Sequence, residues 1–380
     1  MLSGSGAATL IFVIGIFLTV APALPHDRTW ARSLMALCGS ALLLRYLAWR
    51  LGETLEIEGL GIGGQLWVWT CLVAELLLIF DNFLSLVVMS RWADRSREAD
   101  RYAERLRGTP PGELPTVDVL IPTYNEDVEV LERTIVGAKS IDYPNALVWV
   151  LDDGRRDWLE EFCARKGVGY LRRPDNRHAK AGNINHALAL TDGQFVAIFD
   201  ADFVPHRDFL YRTLGFFEDA HIGIVQTPQR FFNPDPVQLN LGAPRLFPEE
   251  QRFFFDRVLP SRDAWDAAFC CGSNCVIRRS ALELIGGIPT SSVTEDVLTT
   301  LALLRHGYVT RYLNEKLALG LSAESLKAFF VQRQRWCRGG VQILFLRDGP
   351  LGPGLDFMKR LLFFPIYWLV QLPATPFCSH

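Results

Sequence analysis

Residues 194–202 read QFVAIFDAD: an apolar run from Phe195 to Phe199 closes on two carboxylates, Asp200 and Asp202. A short β-rich run that stops at acids has the profile of a strand whose C-terminal end faces a ligand. The flanking segments extend this pattern. Upstream lie VDVLIPTY (117–124), the helical DVEVLERTIVGAKS (127–140), ALVWVLDDG (146–154), RDWLEEFCARK (156–166), VGYLRR (168–173) and AGNINHALAL (181–190). Downstream, HIGIVQTPQ (221–229) reads as a further strand. Strands alternating with helices of 10–15 residues predict βαβ units and an α/β domain with a mostly parallel sheet. No GxGxxG follows the first strand and no GxxxxGK[ST] occurs, which argues against dinucleotide and P-loop sites.

The polar residues gather where these strands end. Asp200 and Asp202 form a D-x-D, and hard carboxylate oxygens suit Mg²⁺ or Mn²⁺. Such a cation would neutralise the diphosphate of a nucleotide-sugar; the plain alternative is a loop with capping aspartates. Asp152 and Asp153 close another strand, with Asn125 and Glu126 beyond a third. Several carboxylates on one rim repel unless a cation or hydrogen-bond donors join them. In HAKAGN (178–183), Lys180 is a point charge for phosphate, and Gly182 lets backbone approach a ligand. Asn183 is also a helix-capping residue type.

Two further motifs lie downstream. Thr294-Glu295-Asp296 precedes the apolar helical run VLTTLALLRHG. It reads as a helix start, with Thr294 as cap and two first-turn acids, and also as the site of a general base. Gln332, Arg333, Gln334, Arg335 and Trp336 combine diphosphate-binding side chains with a flat ring that can stack on a sugar. A basic segment at a membrane surface is the alternative reading.

Composition places this domain beside a bilayer. The chain has 380 residues, 49% of them hydrophobic, and a formal net charge of -3 that draws it to no nucleic acid. Its eight cysteines form no paired CxxC pattern and predict neither a zinc site nor a disulfide framework. Three apolar stretches, about 8–24, 33–48 and 66–89, predict three spanning helices within residues 1–90, the second being short enough to lie in the interface instead. The first lacks a basic n-region and reads as an anchor rather than a signal peptide. The arginine-rich RWADRSREADRYAERLR that follows places residues from 91 onward in the cytosol and the N-terminus outside. Glu75 and Asp81, inside the third stretch, must face protein or water. The domains expected are membrane helices over 1–90, a basic cytosolic linker over 91–114, the α/β domain with an interfacial helix over 115–347, and the start of a C-terminal, apparently truncated membrane region over 348–380.

Taken in order, DDG (152–154), HAKAGN (178–183), DAD (200–202), TPQ (227–229), FCCGS (269–273), TED (294–296) and QRQRW (332–336) resemble the signatures of the processive family 2 glycosyltransferases, nearest to bacterial cellulose synthase catalytic subunits. The resemblance runs from about residue 115 to 347. It implies a GT-A domain inserted between transmembrane helices of a multi-pass bacterial inner-membrane protein, with the catalytic domain cytosolic. It also implies inverting transfer of glucose from UDP-glucose to the 4-hydroxyl of a growing β-1,4-glucan, with Mg²⁺ or Mn²⁺ as cofactor. A β-1,3 or mixed linkage, a UDP-N-acetylglucosamine donor and an inactive membrane scaffold are the alternatives.

By this resemblance Asp296 is the general base. Asp152, Asp153, Lys180, Asp200, Gln332 and Arg335 bind the donor, and Asp202 with Asp200 holds the metal. Trp336, Cys271, Gly272 and Ser273 border the acceptor. A periplasmic subunit that receives the polymer is an expected partner. Cys270 stands where the family has a second phenylalanine. One apolar run follows QRQRW, where the family continues with several channel helices and a β-barrel that binds cyclic di-GMP. Neither secretion nor that regulation is carried over.

Overall fold

The computed structural model describes residues 13–364 apart from 56, 243–245 and 247. The chain divides into two compact units, Met1–Ala93 and Asp94–His380.

In the first unit, α1 (Thr29–Glu53) and α2 (Ile62–Met89) are 25 and 28 residues long and apolar enough to cross a membrane. At 1.5 Å per residue each exceeds the roughly 30 Å hydrocarbon core. A shorter apolar helix, Val13–Ala23, precedes them; the start of the first predicted stretch lies outside the described residues. The second stretch is longer than its apolar run because its charges are used. Arg50 Nε donates to Glu75 Oε2 at 2.9 Å, and Tyr46 Oη donates to the same carboxylate. Glu75 therefore joins α1 to α2, while Asp81 is buried. Gly39 makes the crossing close: a Cβ there would sit 3.0 Å from Leu86.

The second unit is built on a seven-stranded sheet in the order β3-β2-β1-β4-β7-β6-β8. These strands are β1 (Val117–Thr123), β2 (Ala146–Asp152), β3 (Gly169–Arg172), β4 (Phe195–Ile198), β6 (Ile222–Gln226), β7 (Cys275–Arg278) and β8 (Val309–Tyr312). The ribbon β5 (Val204–Pro205) with β9 (Ala318–Leu319) stands apart. Every residue of β1 is buried, as a strand covered on both faces requires. Val117, Val119 and Ile121 join Leu131 and Ile135 of α4 (Val128–Lys139) in one core. Leu120 joins Ile184 of α6 (Ala179–Leu188) in the other. Asp118 is tolerated inside β1 because it accepts from Arg279 Nη2 (2.7 Å), Gly193 N (2.7 Å) and Trp149 Nε1 (3.0 Å).

The sheet is mostly parallel, as expected; β7 alone runs antiparallel to both neighbours. That reversal matters for the site. Cys275 pairs with Ile198, so the turn entering β7 lies beside the acids leaving β4. The stretch read as a linker contains α3 (Ser96–Gly108), which buries Ala99 and Ala103 and sets Tyr102 edge-on to Phe216 at 5.2 Å. The final apolar run is a helix over Phe357–Leu362, and its continuation from residue 365 lies outside the described residues.

Candidate active site

Parallel register brings the first acids together: Thr123 at the end of β1 pairs with Asp152 at the end of β2. Asp152 is fully buried and its carboxylate is saturated. It accepts from Gly154 N (2.8 Å), Arg156 N (2.6 Å), Arg156 Nε (3.1 Å) and Tyr170 Oη (3.0 Å). Asp153 faces Arg173 in a buried two-pronged pair, Nε–Oδ1 2.6 Å and Nη2–Oδ2 2.7 Å. Arg173 also donates to the carbonyls of Arg177 and Ala179, binding the loop before α6 to this rim. Gly182 serves that loop: a Cβ there would lie 2.1 Å from the Arg177 carbonyl and 2.5 Å from Arg173 Nη1. Packing alone therefore requires a glycine there. Asn183 is likewise an anchor, donating to the Leu151 carbonyl at 2.8 Å.

Across β4 the acids are less well matched. Lys180, in the first turn of α6, donates to Asp200 Oδ1 and to the Gly272 carbonyl at 2.7 Å. Burial would depress its pKa, but Asp200, Glu295 and Asp296 outweigh burial and hold the ammonium charged. Ser273 is buried, and its hydroxyl accepts from Asp200 N at 2.9 Å. Burial pushes the Asp202 carboxyl up to about 7; Asp200 and Glu126 add to that, and Lys180 opposes it. Among the described residues no three His, Cys, Asp or Glu side chains are grouped to hold a metal alone.

Asp296 lies in the first turn of α7 (Glu295–Arg305). Burial, then Glu295, raises its carboxyl to about 7, against Val297 N and Lys180. Gly272, at φ +81°, passes between these groups; a Cβ there would be 3.2 Å from Asp296 Oδ2 and 3.6 Å from Lys180 Nζ. Thr294 directly precedes α7 but makes no side-chain cap. Its hydroxyl meets Ser292 Oγ at 3.2 Å, and its side chain fills the space left by Gly339 of α8 (Leu326–Phe345).

Beside Asp296 opens a cleft of about 160 Å³, walled by Phe254, Phe269, Cys271, Arg333 and Trp336. Cys271 reaches it with a thiol that burial keeps neutral. Its backbone is held by Gln226 Oε1 (2.7 Å) and Gln229 Nε2 (3.0 Å). Cys270, in place of a ring, packs its sulfur 3.7 Å from Cys275 in the core. Of the α8 residues expected here, Trp336 lines the cleft, Gln332 lines a smaller neighbouring cavity and Arg335 is exposed. Arg333, read in the sequence only as one of the basic residues of its motif, and Glu250, which motif reading missed, line both. The sequence signal for Glu250 is only an acid far from that motif in the chain.

Residues 118–286 match the family model described as glycosyl transferase family 2. Over 324 residues the chain is 44% identical to the "Cellulose synthase catalytic subunit [UDP-forming]" of Pseudomonas fluorescens (strain SBW25), covering 84% of this chain and 42% of that protein. Residues 118–286 are a family 2 glycosyl transferase domain. The chain that carries it is also 37% identical over 384 residues to the protein of the same name from Xanthomonas axonopodis pv. citri (strain 306), covering 94% of this chain and 50% of that one. It thus spans about half or less of the length of these relatives. Among solved structures, a mannosyltransferase from Pyrobaculum calidifontis in complex with GDP-Man and Mn²⁺ aligns with 78% of this chain and 87% of its own, at 22% identity and a TM-score of 0.49.

Proposed function

We propose that this chain is the catalytic part of a membrane-embedded synthase that transfers glucose from UDP-glucose to the 4-hydroxyl of a growing β-1,4-glucan. The observation that carries the reading is Asp296: a carboxyl raised to about 7, lining an aromatic cleft and backed by Lys180. The identity to proteins named as UDP-forming cellulose synthase subunits supports the donor and the product.

Chemically, the acceptor oxygen attacks the anomeric carbon from the face opposite the diphosphate, and UDP leaves with the bonding electron pair. The α-linked donor becomes a β-linkage in one displacement, so a single base is needed. Asp296 takes the hydroxyl proton; a pKa near the working pH is what efficient general-base catalysis asks for. Trp336 stacks on the acceptor sugar, and Cys271 and Gly272 border it. Ser273 acts behind them by fixing Asp200.

The Asp153–Arg173 rim and Asp152 shape the nucleotide end of the donor site. Lys180, Gln332 and Arg335 meet the diphosphate, the last two from α8. Asp202 and Asp200 fit a divalent cation: half-buried carboxyls of which Asp200 is paired with Lys180 and Asp202 is short of positive charge, with too few protein ligands to close a shell without the donor phosphates. Mg²⁺ or Mn²⁺ bound there would neutralise charge on the departing diphosphate. The helices α1 and α2 would anchor the domain in a bacterial inner membrane with its active site cytosolic and the polymer passed outward to a periplasmic subunit.

Product linkage tests the reading. The lipid-reconstituted protein is given labelled UDP-glucose and Mg²⁺, and the polymer is digested with β-1,4- or β-1,3-specific glucanase. Release by the β-1,4 enzyme alone is expected. Release by the β-1,3 enzyme alone would move the acceptor hydroxyl, and incorporation from UDP-N-acetylglucosamine in place of UDP-glucose would overturn the donor.

A further inference from the structure

The walls of the aromatic cleft come from α8 and from the stretch 249–256, joined across the cleft by one ion pair. Arg333, three residues before Trp336 on α8, donates through Nη2 to Glu250. Its side chain is only 12% exposed, and that of Glu250 is 37% exposed. The Arg333 guanidinium lies over the Trp336 ring, 4.3 Å from the centroid, and 4.8 Å from that of Phe329. Two buried polar atoms at the pair, Arg333 Nε and Glu249 Oε1, have no hydrogen-bond partner among the described residues. A neighbouring cavity of about 10 Å³, between Glu249, Glu250, Gln332 and Arg333, has room for one water.

An ordinary surface ion pair would be solvated and would hold nothing. This one is partly desolvated, bridges two walls and lies against the ring that the site uses. A flat ring has two faces. Arg333 takes one, which leaves the other for a sugar and fixes the plane in which that sugar must lie. Cation–π contact strengthens with desolvation, so the ring is held most firmly when the cleft is filled. Glu250 in turn holds Arg333 through Nη2, and a planar guanidinium laid over the ring is a geometry that lysine cannot reproduce.

We propose that Arg333 and Glu250 are positioning residues: a bridge that orients Trp336 for the acceptor chain and keeps the chain seated between transfers. This rests on the acceptor role of Trp336 given above. The bridge acts on acceptor retention and not on donor binding, so it should set polymer length rather than KM for UDP-glucose.

The test uses the full chain in lipid nanodiscs. Polymer length and KM for UDP-glucose are measured for Glu250→Gln, Arg333→Gln, Arg333→Lys and the exchange Glu250→Arg with Arg333→Glu. We expect mean length to fall at least fivefold in each single variant with KM for UDP-glucose within twofold of wild type. The exchange restores an ion pair but puts no cation over Trp336, so it should stay as short as Arg333→Gln. Wild-type length in Glu250→Gln, or a KM rise that parallels the shortening, overturns the bridge. Should the glutamine variants fail to fold, Arg333→Lys and the exchange decide alone: either one at wild-type length overturns it. A wild-type protein that makes no β-linked polymer from UDP-glucose would instead sink the functional reading itself.

Discussion

Two groups of carboxylates stand along the same sheet edge and are treated in opposite ways. At the end of β2, Asp152 and Asp153 are buried but matched, Asp153 by both prongs of Arg173 and Asp152 by Arg156 together with backbone and Tyr170 donors. Beyond β4, Asp202 and Asp296 are half-buried with too little positive charge nearby, and both are pushed up to about 7. Matched acids hold the rim in shape, because breaking the match costs stability. Unmatched acids carry strain that a cation, a substrate or a proton relieves, and that is the signature of a working site.

The sharpest way to break this comparison is to remove a charge from each group. Asp296→Asn should lower polymer synthesis by roughly 10²–10⁴-fold, the range for a lost general base, with the melting temperature unchanged or higher. Asp153→Ala should do the reverse first. It strands the buried Arg173 and should cost about 3–5 kcal/mol of stability, seen as a lower denaturation midpoint. If Asp153→Ala proves as stable as wild type while Asp296→Asn unfolds, the division is wrong.

pH should sharpen it further. Both raised carboxyls favour the folded state while protonated. Their stabilising contribution is complete below the ordinary aspartate pKa and is lost as pH rises through about 7. In metal-free protein, Asp202→Asn should therefore gain melting temperature over wild type progressively between about pH 4 and 7 and hold that gain above it. The rate at saturating donor should rise as pH passes through about 7, since Asp296 works deprotonated. A smaller effect is expected at Gly272→Ala: the left-handed backbone alone costs about 1–2 kcal/mol, and its Cβ would press on Asp296. Smallest in stability is Arg335→Ala. Its side chain is exposed, so the melting point should shift by less than about 0.5 kcal/mol equivalent. Any loss of activity there would then report diphosphate contact alone.

Much of the fold was legible because strands and helices are local. The apolar run before Asp200, the one before Asp152 and the helix carrying Asn183 lie where their periodicity put them. The reading was less good where long-range packing decides. The arginine-rich linker holds a helix because Ala99 and Ala103 find a surface to bury against. Thr294 looked like a cap, but it spends its side chain on Gly339 instead. Gly182 looked like a ligand-facing glycine, yet it makes room for Arg173.

The sequence by itself determined which residues are acids at strand ends, which helices can span a bilayer and the order of the motifs, since each depends on neighbours a few positions apart. Only the tertiary structure decided which acids are matched. Asp153 meets an arginine 20 residues on, Arg333 a glutamate 83 residues back, and Asp118 an arginine 161 residues away. Charge and burial act over a few ångströms of space whatever the distance along the chain. The chemistry of each carboxylate was therefore settled when the sheet closed.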